Sequence, residues 1–472
     1  MYLIGIDGGS QSTKVVVHDL QGRVVSEGRR LLRPMQTPAP GVVEHPDDDL
    51  WHSLAAASRQ ALDRFPGDRA EIAGVGLCSI RFCRVLLAAD GSPAAPVLSW
   101  MDARVSRPSP HLDPTVRYVT TASGYLTHRL TGRLRDSAAN YQGQWPIDTD
   151  SWAWPAGQTF PGTDLTRPML AELVQPGQVL GEVTAEAAAA TGIPAGLPVV
   201  GTANDKAVEA LGCGIVDGRT VLVSLGTYIA GMVLGEGNAR AGAHYWTNFA
   251  ALPGRYLHES HGIRRGMWTV SWLRDLLGES LTARAQAAGL EVEQFMDRAA
   301  AGVPAGSDGL MTVLDWLAPV GAPHRKGVMI GFDHRHGWAH LYRSVLEGIA
   351  LTMQDRVAAM CDELGQPPDR VVLSGGGAAG DTMLQIFADV LQLPTTRPGV
   401  ASAAGLGAAV CAAVGVGAYP DFQTGTEQMV RLGDTFRPRS AAADVYRRLA
   451  EVYRSIPQHT DPVLARSYPI FQ

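Results

Sequence analysis

A chain of 472 residues has room for two or three domains, and 46% hydrophobic against 18% charged residues describes a packed globular protein rather than a disordered one. The net charge of −6, with no long Lys/Arg run, excludes nucleic acid as a natural partner. Cys78, Cys83, Cys213, Cys361 and Cys411 form no C-x-x-C pair, which excludes a disulfide framework and a zinc site; with no basic leader and apolar core at the start, a reducing, cytoplasmic setting is expected.

The opening elements are two apolar, β-branched strands, 3–6 and 15–17, joined by Asp7, Gly8, Gly9, Ser10, Gln11, Ser12, Thr13 and Lys14. Glycines let backbone N–H groups approach an anion, hydroxyls grip oxygens, and the acid at the strand end can reach a metal through water. This is not a Walker A loop: G-x-x-x-x-G-K-[ST] is absent, and the turn returns to a strand instead of opening a helix. At this point a phosphate-gripping loop and a plain Gly-rich hairpin turn account for the stretch equally well.

A third strand is expected over 23–26. Asp47, Asp48 and Asp49 then give an N-cap and an acidic first turn to a helix ending at Leu62. Strands follow at 72–77 and 85–89, and 97–104 ends a strand in the charged loop of Trp100, Met101, Asp102, Ala103 and Arg104. Residues 107–114 hold three prolines and are irregular, while 118–130 read as a helix closed by Thr131 and Gly132. The stretch 145–168, rich in Trp, Pro, Gly and Asp, reads as surface loop, and 184–191 as a short helix ending at Gly192.

At Leu197 the pattern restarts. A strand at 197–201 and a helix at 203–212 precede a strand–turn–strand unit over 219–237, with Ser224, Leu225, Gly226 and Thr227 in its turn. It is a coarse copy of the opening hairpin. Two such units in separate halves point to a duplicated fold with a nucleotide between the halves, which tips the reading toward phosphate binding. Residues 267–277 are expected to form an amphipathic helix with Trp268, Trp272 and Leu276 on one face, and 338–364 a long one with Leu341, Val345, Ile349 and Met353 aligned. A strand at 371–373 runs into Gly375, Gly376, Gly377 and Asp381 ahead of a helix at 382–391, a turn suited to the adenosine or diphosphate side of a nucleotide. A dinucleotide reading stays open, because G-x-G-x-x-G fits at Gly375, Gly377 and Gly380, although no βαβ continuation with a ribose-binding acid follows. The uncharged stretch 398–420 is dominated by Ala and Gly, so it reads as a helix packed very close to a sheet or another helix, not as a membrane span.

With these turns in place the chain resembles the FGGY family of carbohydrate kinases, members of the actin-like ATPase superfamily. The likeness runs through DGGSQSTK, WMDAR, THRLTG, ANDKAVEALGCG, SLGT, GFDHRHGWAHLYRSVLEGIA, SGGGAAGD and the Ala/Gly helix after Ser402. It implies an α/β fold of two actin-like (ribonuclease H-like) ATPase domains flanking a cleft. The division would be 1–200 for a sugar-binding N-terminal FGGY domain, 201–430 for an ATP-binding C-terminal one, and 431–472 for a helical tail. It implies ATP and Mg2+ as cofactors, a small sugar or polyol as partner, and assembly as a homodimer.

By the same resemblance Asp205 is the catalytic base, taking the proton of a sugar hydroxyl as the γ-phosphoryl group arrives. From the residues alone it is equally a helix N-cap, and Lys206 beside it reads as a solvated charge. Asp7 and Asp205 would hold the metal. Gly8, Gly9, Ser10, Gln11, Ser12, Thr13 and Lys14 would grip phosphates, with Thr13 on the β-phosphate side. Gly226 and Thr227 would cradle the γ-phosphate, with Gly266, Gly375, Gly376, Gly377 and Asp381 completing the nucleotide site. Ser79, Arg81, Phe82, Asp102, Arg104, Asn204 and Asp205 would hold the acceptor.

The acceptor loop departs from the family. Xylulokinase-like members carry Gln-Met-His-Gly there; this chain has Cys78, Ser79, Ile80, Arg81, Phe82, Cys83 and Arg84, with Arg81 where glycerol kinases place a polyol-binding Arg. Arg81 either binds hydroxyls or a sugar carboxylate, or forms a structural salt bridge. Asp102 and Arg104 either shape the sugar site or pair with each other. Between Arg104 and Tyr118 the family's helical insert is shortened, so part of a lid or an oligomer contact is expected to be missing. The first expectation for the acceptor is a ketopentose such as xylulose. Glycerol, a tetritol or a sugar acid is the alternative within enzymes, a non-catalytic sugar sensor the alternative outside them, and a nicotinamide-dependent enzyme a more distant one.

Overall fold

The opening hairpin is the centre of a sheet in the computed structural model, which describes residues 1–106, 113–143, 145–240, 242–319 and 321–471. Strands β1 (Tyr2–Gly8), β2 (Ser12–Asp19), β3 (Val24–Leu31), β4 (Ile72–Ser79), β5 (Val179–Glu182) and β6 (Pro198–Gly201) lie in the order β5-β6-β4-β1-β2-β3. The first three form an antiparallel meander; β4 joins β1, and β6 joins β4, in parallel. Alternation sends Ile4, Ile6, Val15 and Val17 to one face, where α1 (Asp49–Asp63) and α2 (Ala122–Thr131) cover them.

The second sheet repeats this plan after α3 (Asp205–Gly212). Strands β7 (Thr220–Leu225), β8 (Ile229–Gly235), β9 (Tyr245–Phe249), β10 (Tyr256–Ser260), β11 (Arg370–Ser374) and β12 (Thr395–Thr396) lie in the order β9-β10-β8-β7-β11-β12. The antiparallel run β7, β8, β10 matches β1, β2, β3, and β11 and β12 extend it in parallel as β4 and β6 do. Helix α4 (Gly266–Ala287) leaves the turn side. The outer face buries Val221, Val223 and Val233 under α5 (Trp338–Leu364) and α6 (Asp381–Leu391).

Helix α7 (Ala403–Gly415) is the Ala/Gly stretch, and with α3 it fills the space between the sheets. Leu3 and Val200 of the first sheet, Leu406 and Ala409 of α7, Val208 and Leu211 of α3, and Leu222 and Val372 of the second sheet share one core. The approach needs bare backbone: a Cβ on Gly5 of β1 would stand 1.9 Å from the Gly405 carbonyl oxygen, and one on Gly212 of α3 1.8 Å from that of Ala403. Among the described residues no helix is long and apolar enough to cross a membrane. The C-terminal helix α8 (Ser440–Ser467) lays Tyr446 and Tyr453 on the outer core of the second sheet.

Four local expectations change. The Asp48 side chain does not cap α1 but turns to Tyr125 and Arg129. Residues 118–120 are strand, paired with 85–87, and Thr121 caps α2 by accepting from the Gly124 N–H. The stretch 145–168 is not mere surface: Trp145, Trp152, Trp154 and Phe160 are buried, and Tyr141 meets Trp145 and Trp154 edge-on at 4.8 and 4.9 Å. On α4 it is Thr269, Val270 and Leu273 that are buried, while Trp268 and Leu276 face solvent and Gly278 interrupts the helix with φ +68°. Size misled at two of the three positions, since Trp268 and Leu276 lie outside while Trp272 packs against the core and meets Trp316 at 5.0 Å.

Candidate active site

Strand β6 gives way to α3 at Asn204, whose side-chain oxygen accepts from the N–H groups of Lys206 (3.1 Å) and Ala207 (3.2 Å). Asn204 therefore caps the helix, and the Asp205 carboxylate is released from that duty. Among the described residues, Asn204 Nδ2 and Asp205 Oδ1 are buried polar atoms with no partner. A desolvated donor and a desolvated acceptor on consecutive residues complement a hydroxyl-bearing ligand. Burial raises the Asp205 pKa above the ordinary carboxylate value, with Arg81 and Lys206 pulling it down. Burial likewise pushes Asp7, at the end of β1, up to about 6; Lys14 opposes the shift, and Asp205 and Glu209 add to it.

Lys206 is no solvated charge. Its Nζ donates to Glu209 Oε2 (2.9 Å) and Ser224 Oγ (2.5 Å), and Ser224 Oγ donates in turn to Glu209. Burial works against its charge, but Glu209 and Asp205 outweigh burial and raise its pKa. Ser224 immediately precedes the Leu225–Gly226–Thr227 turn, so the helix carrying Asp205 is strapped to that turn.

The turns of the second half close on one another. Gly266 N–H donates to the Thr227 carbonyl (2.8 Å) and Met267 N–H to that of Gly226 (3.1 Å). A Cβ on Gly375 would stand 2.6 Å from the Leu225 carbonyl oxygen, and one on Gly377 2.7 Å from Met267 Sδ. Gly226, Thr227, Gly266, Gly375 and Gly377 thus form one patch, with Gly376 open beside it. Asp381 is exposed and takes Arg397 at 2.7 Å.

The first turn needs a correction. Asp7 and Lys14 are register partners, and Thr13 has the parity of Val15 and Val17, so its hydroxyl faces α1 and sits 2.7 Å from Ser53 Oγ. A strand cannot aim both Thr13 and Lys14 the same way. Ser12 accepts from Arg29 Nε at 3.2 Å. Each hydroxyl therefore has a protein partner, and the Ser12 O–H is left to donate. Ser10 and Gln11 are exposed at the tip, while Gly9 N–H donates to the Ser12 carbonyl and Gly8 O accepts from Ile80 N–H (2.8 Å).

On the acceptor side, Ser79 Oγ donates to Gly8 O at 3.4 Å. Arg81 donates to both carboxylate oxygens of Glu259 in β10, at 2.8 and 3.0 Å, so it does form a salt bridge. Asp102 and Arg104 pair with each other at 2.7–2.9 Å, Asp102 also accepting from Val43 N–H and Arg104 also donating to Glu44. Phe82 lies in the left-handed region at φ +67°. With Arg84, Trp100, Val105, Gln142, Gly143 and Trp145 it lines a cavity of about 210 Å³. Gln142 Oε1 is buried there without a partner. The shortened segment after Arg104 falls mainly on residues 107–112, outside the described residues.

Sequence reasoning missed Glu209, Gln142, Trp145, Trp246 and Glu259. The spacing of Lys206 and Glu209 was a legible signal, and so was a glutamate inside the strand Tyr256–Ser260; Gln142 carried none. Among the described residues no three His, Cys, Asp or Glu side chains gather as a metal site. A Mg2+ carried on a polyphosphate needs only one or two carboxylates. Asp7, and Asp205 with its unpartnered Oδ1, fit that requirement.

Family models describe the same chain. The FGGY family of carbohydrate kinases matches as its N-terminal domain over residues 2–115 and 107–212, and as its C-terminal domain over 221–416. At 50% identity, covering 99% of this chain and 96% of the other, it is similar to the uncharacterized sugar kinase YgcE of Escherichia coli (strain K12). It is 27% identical to an autoinducer-2 kinase of Enterobacter sp. (strain 638), over 96% and 94% of the two chains. The fold matches the crystal structure of xylulose kinase from Rhodospirillum rubrum with a TM-score of 0.81, at 26% identity and with 98% and 100% coverage.

Proposed function

This chain belongs to the FGGY family of carbohydrate kinases, and from that premise we propose that it transfers the γ-phosphoryl group of ATP to a small sugar, a ketopentose such as xylulose first, with Asp205 as the base. The observation that supports this best is the unpartnered pair on Asn204 and Asp205, on a helix tied by Lys206 to the Gly226 turn. A sugar hydroxyl is a weak nucleophile, and a carboxylate in reach takes its proton as the phosphoryl group arrives. Lys206 and Arg81 help to keep that carboxylate ionised in a buried site. Amides of the converging glycine turns suit the polyphosphate. A Mg2+ held by Asp7 and Asp205 would neutralise phosphate charge.

The cavity beside the acceptor loop supports the size of acceptor. At ~30 Å³ per water it displaces roughly seven waters, room for a five- or six-carbon sugar. Phe82, Trp100 and Trp145 offer faces to C–H groups, and Gln142 Oε1 accepts from a hydroxyl. The similarity to a xylulose kinase supports the ketopentose. Arg84, one of the residues lining the cavity, gives the sugar-acid reading a second arginine besides Arg81, which is held by Glu259.

ADP release measured over ketoses, polyols and aldonates of rising length is expected to peak with a five-carbon ketose and to be weak with glycerol. A peak at glycerol overturns the acceptor, and no release with any of them from an ATP-binding protein overturns the kinase reading. The rate is also expected to depend on pH with a fixed sign. Asp7 and Asp205 act ionised, and burial raises both carboxyls, so kcat/KM is expected to rise with pH along an acid limb. A kcat/KM that falls as the pH is raised through this acid range contradicts the role given to these residues.

A further inference from the structure

We propose that Glu259 is a positioning residue for the acceptor: from the second half of the chain it fixes Arg81, and through Arg81 it holds Phe82 as a wall of the acceptor cavity. The inference rests on reading that cavity as the acceptor site.

Glu259 is fully buried, and a buried carboxylate persists only where it is paired. Its two oxygens accept both terminal nitrogens of Arg81, and Oε2 also accepts from Asn248 Nδ2 at 3.1 Å. Trp246 stands directly opposite Glu259 in the β9–β10 register, so both side chains share one face. The guanidinium carbon of Arg81 lies 4.7 Å from the Trp246 ring centre and 5.3 Å from that of Phe82, with the two rings 6.0 Å apart. The carboxylate thus holds the fork of the guanidinium while aromatic rings hold its face, a double demand that lysine cannot meet.

Phe82 needs this support. A bulky side chain at φ +67° stays in the left-handed region only where its surroundings impose it. Arg81 and Trp246 stand against its ring, and the Cβ position of Gly143 is 3.6 Å from it. Glu259 is not among the residues that line the cavity, so it acts through Arg81. The loop at 80–84 follows a strand of the first sheet yet is anchored to the second. Acceptor affinity is therefore set in part by the half that carries the nucleotide turns.

The test compares wild type, Glu259→Gln, Arg81→Lys and the double variant Arg81→Gln/Glu259→Gln, with D-xylulose and ATP as probes, or with whichever acceptor the ADP-release series selects. Glu259→Gln is expected to raise the acceptor KM about tenfold while kcat and the ATP KM move by less than about threefold. Arg81→Lys, which keeps the charge but not the fork, should raise the acceptor KM as well. In acceptor KM the double variant, which leaves neither member of the pair alone in the interior, should be no worse than either single change, while its kcat falls with the loss of the Arg81 charge beside Asp205. An unchanged acceptor KM, an equal rise in both KM values, or additive effects overturn the proposal. Hydrogen exchange on the ligand-free protein provides a readout that needs no acceptor. Amides of residues 80–84 should exchange faster in Glu259→Gln, and unchanged exchange refutes the link even if no acceptor is ever phosphorylated.

Discussion

Asparagine in place of Asp205 is expected to lower kcat by about 10²–10⁴-fold and to leave ATP affinity within a factor of about three. The substitution keeps the shape of the side chain and removes its capacity to take a proton, together with its charge toward Mg2+, of which Asp7 remains the other holder. Asn204 already caps α3, so the helix keeps its first turn. The fold should not suffer either. Burial raises the Asp205 pKa, which means the native state is penalised for carrying that charge at neutral pH, and a neutral isostere is at least as stable. Loss of turnover with an undiminished melting temperature and normal nucleotide titration is the expected combination. Turnover within tenfold of wild type would remove Asp205 from the base's role.

Alanine at Gly5 is expected to cost at least ~3 kcal/mol, the upper part of the range for overpacked cores. The added methyl would meet the Gly405 carbonyl oxygen at 1.9 Å, and both contacting groups are backbone in regular elements, so neither a rotamer change nor a flexible tip relieves the clash. The strand is the centre of the first sheet and the helix belongs to the other half of the sequence. Urea midpoints measure the effect. Gly237→Ala, where nothing lies within 4 Å of the new methyl, is the control and should stay within ~0.5 kcal/mol of wild type. Equal midpoints for the two variants would mean that α7 does not sit so close to β1.

The duplicated plan was legible because it is written in local pattern. Both strand–turn–strand units, the helix Trp338–Leu364 and the close-packed Ala/Gly helix follow from periodicity, caps and residue size. The family resemblance added the role of the acid at 205 and the part of the nucleotide assigned to each turn. What stayed hidden is pairing over distance. Arg81 and Glu259 are 178 residues apart, and nothing in either neighbourhood announces the other. Lys206 was misjudged for a related reason: its partner Ser224 arrives from the next sheet. Thr13 is different, because counting strand parity from Val15 would have turned it away from the phosphates. The Trp-rich stretch read as loop because Pro and Gly dominate its sequence, while burial is decided by Tyr141, which receives its indoles.

The seat of α7 also bears on how the protein is made. The first sheet is complete once β6 has been synthesised, but the helix that shields its inner face is encoded roughly two hundred residues later. At ~5–20 residues per second a ribosome needs about 10–40 s to reach it. For that interval the nascent chain carries an uncovered apolar face around Leu3, Cys78 and Val200, a natural station for a chaperone and a point at which early termination yields an aggregating fragment.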